Sequence, residues 1–226
     1  MLPKVLVGCP VSDLKKYCIK EYIQSVKSLT YQNYDILLID NSKEDYFYNY
    51  LKELGINVIK DNYIEPARAR IVNSRNILRQ KTLENYDYFL SLEQDVIPPK
   101  NVIERLLAHN KDIITGVYYS YQTNNNVTLL TPLLWQFINN DEVKYINNDE
   151  IQEQKLMKIG ACGLGCVLIS KKVLEKIKFR YNKQSNCFDD MFFCLDAKNN
   201  NFDIYLDTSI KCKHLNLRWS WKNIIK

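Results

Sequence analysis

Short apolar runs alternate with stretches of helical period through the first half of the chain, the pattern of an α/β domain on a largely parallel sheet. Lys4 to Val7 predicts the first strand. Leu14, Cys18, Tyr22 and Val26 recur every fourth residue and predict one helix from about Leu14 to Leu29. Asp35 to Asp40 is an apolar run with an acid at each end, which suits a strand buried on both faces that delivers Asp40 to a loop. A helix from Glu44 to Leu54, a strand from Ile56 to Ile59 and a helix from Ala67 to about Leu83, opened by Pro66, follow. The strand Tyr86 to Leu92 runs into Glu93-Gln94-Asp95 and is stopped by Pro98 and Pro99. Asn101 caps a helix to about Asn110, and Asp112 to Tyr119 returns as a strand.

Between Tyr121 and Lys158 the periodicity is lost and asparagines cluster, which predicts a long, partly mobile excursion around the apolar Leu129 to Phe137. Regular pattern resumes at Gly160, with a strand from Cys166 to Ser170 and helices Lys171 to Lys178 and Asp190 to Lys198. A strand from Asp203 to Leu206 and an alternating segment to His214 complete a single domain expected over residues 1–216. Leu217 to Lys226 mixes tryptophan and isoleucine with basic residues and reads as an amphipathic tail, a candidate peripheral contact with a membrane surface.

Composition narrows the classes. No window is apolar enough for a membrane span, and Pro10, Ser12 and Asp13 interrupt the N-terminal run before it reaches signal-peptide length, so a cytoplasmic protein is expected. The seven cysteines are scattered without a Cys-x-x-Cys pair, which fits small buried hydrophobes better than a zinc site. A net charge of +5 favours anionic partners without choosing among nucleotide, nucleic acid and lipid.

Chemistry concentrates in three places. Glu93 and Asp95 lie just past the C-terminal end of a buried strand, the edge at which open α/β sheets bind ligands, and their oxygens suit Mg²⁺ or Mn²⁺ bridging phosphates. Alone, acid-x-acid more often describes two solvated turn residues. Ile210, Cys212 and His214 share one face of an extended strand; a histidine there is ordinarily a core residue, yet beside acidic oxygens it favours manganese. Asp189 and Asp190 precede an apolar helix, where carboxylates stabilise the first turn by about 0.5–2 kcal/mol. Two adjacent acids also raise one pKa toward the range a general base needs.

In order along nearly the whole chain, these segments resemble the family 2-like glycosyltransferases with a GT-A fold. Val5 to Pro10 resembles the first strand and donor loop, and Leu38 to Ser42 the second strand, ending in an Asp that contacts base or ribose. Ser74-Arg75-Asn76 resembles the Ala-Arg-Asn helix segment, and Tyr88 to Pro98 the strand bearing the Asp-x-Asp metal motif, with Glu93 replacing its first Asp. Gly160 to Ser170 resembles the glycine-rich segment ahead of the acceptor site, Asp189-Asp190 the motif that supplies the base, and His214 a terminal metal-binding histidine.

The resemblance implies a Rossmann-like αβα sandwich with a mixed, mostly parallel sheet, and transfer of a sugar from a UDP- or GDP-linked donor to a hydroxyl. It implies Asp190, with Asp189 beside it, as base; Asp95, Glu93 and His214 at Mn²⁺ or Mg²⁺; and Cys9, Pro10, Val11, Asp40, Arg75, Glu93 and Gln94 at the donor. Asp95 is expected to face solvent in the cleft. The acceptor is a glycan, a lipid-linked sugar or a protein, with no nucleic acid partner. A nucleotidyltransferase and a non-catalytic carbohydrate- or nucleic-acid-binding module are the rival readings. An NAD-dependent enzyme is poorly supported because the dinucleotide glycine fingerprint is missing.

Overall fold

The computed structural model describes residues 2–124, 127–139 and 142–215. The expected amphipathic tail lies outside the described residues. The strands are β1 (Val5–Val11), β2 (Tyr34–Asp40), β3 (Val58–Lys60), β4 (Tyr88–Leu92), β5 (Val96–Ile97), β6 (Ile113–Val117), β7 (Tyr119–Asn124), β8 (Val127–Pro132), β9 (Leu134–Phe137), β10 (Val143–Tyr145), β11 (Leu156–Ile159), β12 (Ala161–Cys162), β13 (Cys166–Ser170), β14 (Ile204–Lys211) and β15 (Lys213–His214). The helices are α1 (Ile19–Lys27), α2 (Tyr46–Glu53), α3 (Ala67–Asn85), α4 (Val102–Ala108), α5 (Lys171–Lys176) and α6 (Asp189–Asn199).

Eight strands form the central sheet in the order β11-β14-β6-β13-β4-β1-β2-β3. β11 and β13 run against the other six, so the sheet is mixed and mostly parallel as expected. Alternate residues of each strand feed opposite cores. Val5, Val7, Cys9 and Val11 of β1 pack with Tyr22 of α1, Phe47 of α2 and Leu106 of α4 on one face. Leu6 joins Leu78 of α3, Leu174 of α5 and Phe193 of α6 on the other. This is the αβα sandwich, with no polar side on the central strands, which is why they read as unbroken apolar runs.

Two regions depart from the sequence pattern. The expected helix from Leu14 is split: a 3-10 turn over Asp13–Cys18 precedes α1, and Lys15 sits off helical geometry at φ −107°, ψ 24°. Ser12 Oγ accepts from Leu14 N, and the Lys15 carbonyl accepts from the Gln94 amide at 3.0 Å, so local polar bonds displace the first helical turn. Leu14 is consequently 56% exposed, while Cys18, Tyr22 and Val26 are buried as the period requires.

The second is the stretch from Tyr121 to Lys158. It holds the β7–β8 hairpin, and β9 pairs with β10 and β12 in a small three-stranded sheet. These strands are short, and Leu129, Leu130 and Ile138 remain exposed, so the apolar residues carry no clean two-residue period. Among the described residues no helix is long and apolar enough to cross a membrane.

Close contact between β1 and β2 requires glycine at position 8. A Cβ there would lie 2.1 Å from the Leu37 carbonyl oxygen and 3.0 Å from Leu78. Gly8→Ala should destabilise the fold by about 2–3 kcal/mol, lowering the Tm by about 5–10 °C. Thermal denaturation followed by circular dichroism checks this, and an unchanged Tm would contradict the strand spacing.

Candidate active site

The C-terminal ends of β1 and β4, one side of α3 and the N-terminus of α6 enclose a cleft of about 380 Å³. Pro10, Val11, Arg75, Glu93, Gln94, Asp189, Asp190 and His214, all predicted from the sequence, line it. Lys15, Asn41, Arg70, Tyr118 and Phe188 line it too and were not singled out by sequence. A recess of about 470 Å³ between the β11 edge and the C-terminal end of α6 contains none of the predicted residues.

Arg75 anchors the acidic side. Its guanidinium, almost wholly buried, lies 2.8 Å from Glu93 Oε1 and 2.6 Å from Asp189 Oδ2, and donates to Ser91 Oγ at 2.8 Å. Glu93 is therefore paired with Arg75. Burial pushes the Asp189 carboxyl up most, with Arg75 opposing, and the net direction is upward.

Asp190 differs from its neighbour. Its Oδ1 accepts from Met191 N at 2.7 Å in the first turn of α6, and among the described residues no cation lies within ion-pair distance of it. Burial first, and then the charge of Asp189, push its pKa up to about 7. A carboxyl with that value is poised to exchange a proton near neutral pH.

Asp95 is 2% exposed, which corrects the expectation of a solvent-facing acid. It sits behind Lys15 and His214: Lys15 Nζ is 2.8 Å and His214 Nε2 3.2 Å from its Oδ2. Burial pushes its pKa up, but the His214 bond and the Lys15 charge prevail and lower it to about 2. Oδ1 is a buried acceptor with no donor among the described residues.

His214 reaches Asp95 because β15 lies antiparallel to β5, His214 opposite Val96, with Leu215 N donating to Asp95 O at 2.7 Å. Its Nδ1 is 2.6 Å from the Tyr119 carbonyl, which can only accept, so Nδ1 carries a proton and Nε2 is the nitrogen turned to Asp95. Burial lowers the imidazole pKa, but its bond to Asp95 and the Asp95 charge outweigh this and raise it overall.

The remaining predicted residues support the cleft from behind or clamp its loops. Cys9 is fully buried with its thiol 3.6 Å from the Tyr22 hydroxyl, and burial pushes its pKa to about 12. Asp40 is fully buried: its Oδ1 accepts from Ser42 N and Oγ, and Lys60 Nζ lies 2.9 Å from Oδ2, so Asn41 rather than Asp40 opens on the cleft. Gln94 accepts from Ser12 N at 2.8 Å and donates to the Lys15 carbonyl, fixing the β1 loop to the acidic loop.

A family model described as glycosyl transferase family 2 matches residues 16–178, a span that includes Arg75, Glu93 and Asp95 and stops short of Asp189, Asp190 and His214. No curated protein matches the chain. Among solved structures, GalNAc-T7 with UDP, GalNAc and Mn²⁺ superposes with a TM-score of 0.68 at 12% identity, covering 94% of this chain and 44% of that one. A197 from STIV superposes with a TM-score of 0.52 at 17% identity, covering 95% of this chain and 86% of that one. The family match extends over more than half of the residues and the sheet is that of the GT-A fold, so the chain belongs to glycosyl transferase family 2.

Proposed function

We propose that the cleft transfers a sugar from a nucleoside-diphosphate donor, UDP- or GDP-linked, to an acceptor hydroxyl with Asp190 as general base. The observation that carries this reading is the division of labour among the cleft acids: Asp189 is paired with Arg75, while Asp190 has no such partner and a pKa of about 7. In its deprotonated form Asp190 takes the acceptor proton as that oxygen bonds to the anomeric carbon and the bond from that carbon to the diphosphate oxygen breaks. A single displacement of this kind inverts the anomeric centre.

The residues at Asp95 fit a divalent cation. Oδ1 is a buried acceptor lacking a donor, and the Tyr119 carbonyl fixes the His214 tautomer that leaves Nε2 available once it loses its proton. Among the described residues no three His, Cys, Asp or Glu side chains converge, so Asp95 and His214 would hold the ion as a pair. Two protein ligands suffice for Mg²⁺ or Mn²⁺ sites completed by phosphate oxygens and water. When bound, such an ion offsets the negative charge that develops on the departing diphosphate. The similarity to GalNAc-T7, solved with UDP, GalNAc and Mn²⁺, supports this choice of donor and metal. Pro10, Val11 and Asn41 at the ends of β1 and β2 are positioned to receive the nucleoside.

Asp190→Asn should lower kcat by about 10²–10⁴-fold with little change in donor binding. Because the base acts deprotonated, kcat/KM of the parent should rise with pH to a plateau above about 7, and this limb should vanish in the variant. A pH–rate profile unchanged by the substitution would remove Asp190 from the mechanism.

Asp190 also links pH to stability. A carboxyl raised from 3.8 to about 7 binds more protons folded than unfolded between those values, so it costs stability as pH climbs through that window. Asp190→Asn should therefore stabilise the chain by about 1 kcal/mol or more at pH 8 and by little at pH 4. Paired melting curves at the two pH values test this; equal shifts would argue against a raised pKa.

Asp95→Asn keeps the shape but gives up the charge that faces Lys15 and His214. It should abolish metal-stimulated transfer, and it should lower stability above about pH 4, where the depressed carboxyl of the parent is ionised. Activity in EDTA equal to that in Mn²⁺, in parent and variant alike, would dismiss the metal.

A further inference from the structure

The geometry points to Lys15 as a diphosphate-binding side chain that competes with a divalent cation for Asp95, pairing with the carboxylate when the cation is out and with the donor's diphosphate when it is in. This rests on the reading of Asp95 and His214 as ligands of that cation.

Three observations lead there. First, Lys15 Nζ and His214 Nε2 share one oxygen, Asp95 Oδ2, at 2.8 and 3.2 Å, while Oδ1 has no donor. A cation approaching this carboxylate meets the Lys15 ammonium within a few ångströms, where like charges repel strongly in a partly dehydrated site. Lys15 relieves this repulsion by moving.

Second, Lys15 is built to move its side chain and not its backbone. Its carbonyl accepts from Gln94 Nε2 at 3.0 Å and Lys15 N donates to the Ser12 carbonyl at 3.0 Å, so the 3-10 turn is held at both ends of the residue. The side chain is 26% exposed and lies on the cleft wall, and a four-carbon stem gives the ammonium several ångströms of reach.

Third, the turn follows directly on β1, whose C-terminal end forms one rim of the cleft where a diphosphate would bind. Arg75 and Arg70, the other deeply placed cations of the cleft, are already held, Arg75 by Glu93 and Asp189 and Arg70 by Glu65 and the Ile64 carbonyl. Lys15 is the cleft-lining cation whose partner a metal would take.

The test uses the full chain and two variants, Lys15→Met and Lys15→Gln, each checked by its melting curve. Mn²⁺ alone is titrated and followed by its electron paramagnetic resonance signal; UDP and GDP are then titrated calorimetrically at saturating Mn²⁺. The expected result is a pair of changes of opposite sign, Mn²⁺ alone binding about tenfold more tightly and the better nucleoside diphosphate about tenfold more weakly in a variant that folds. A structural salt bridge would lower the Tm and leave both affinities unchanged, and either affinity remaining at the parent's value overturns the inference while the metal site stands. No Mn²⁺ binding by the parent, with or without nucleotide, overturns the metal site itself and Lys15's role with it.

Discussion

The arrangement of the cleft depends on one buried cation. Arg75 projects from the middle of α3 and lies between Glu93, just past the end of β4, and Asp189, at the start of α6. A guanidinium with carboxylates on two sides tolerates burial that a lone charge would not, and removal of either partner would leave an uncompensated charge in a poorly solvated place. Lysine could not replace it, because a single ammonium cannot address Ser91, Glu93 and Asp189 along fixed directions. The same contacts decide how the acids differ. Glu93 and Asp189 are each paired directly with Arg75, and Asp190, one residue further along the helix, keeps its proton up to about pH 7.

A second charge cluster forms around Asp95, and chain topology rather than local sequence creates it. Lys15 comes from the first turn after β1, Asp95 from the loop after β4, and His214 from β15 at the end of the described chain. They meet because the short β5 accepts β15 as an antiparallel partner and because Gln94 ties the β1 loop to its own. The Arg75 cluster likewise joins segments far apart in sequence, α3, β4 and α6.

The order of elements was legible because buried parallel strands admit few residue types. β1, β2, β4 and β13 appear as apolar runs, and Cys166–Ser170 coincides with its predicted bounds. Asp189, Asp190, Glu93 and Gln94 were legible by their place at strand or helix ends. What could not be read is what depends on a partner. Nothing in Asp13 to Cys18 announces that Gln94, some eighty residues away, captures the Lys15 carbonyl and breaks the first helical turn. Lys15 was therefore not singled out by sequence. Asp40 and Cys9 carry the alignment of a donor loop, but their side chains turn inward to Lys60 and Tyr22. The excursion from Tyr121 to Lys158 defeated periodicity because its strands pair mainly with one another outside the main sheet.

The glycines before β13 show how a sequence signal can be right in place and different in cause. The order Gly-x-x-Gly-x-Gly resembles the family's glycine-rich segment ahead of the acceptor site, and Gly163 and Gly165 pack against Tyr118, which lines the cleft. Yet a Cβ on Gly163 would fall 2.0 Å from the Tyr118 hydroxyl, and one on Gly165 2.5 Å from the same ring. Both glycines make room for Tyr118, whose hydroxyl accepts from Gly165 N at 3.0 Å. The Tyr118 ring in turn stands edge-on to the His214 imidazole, with centroids 5.4 Å apart. The glycine segment is thereby a socket for an aromatic side chain that backs the histidine, and the histidine's distance to Asp95 depends on residues that touch neither. Enlarging either glycine would act on the Asp95 pair through Tyr118 before it acted on any bound sugar, so a loss of activity there would report on the position of His214 rather than on contact with substrate.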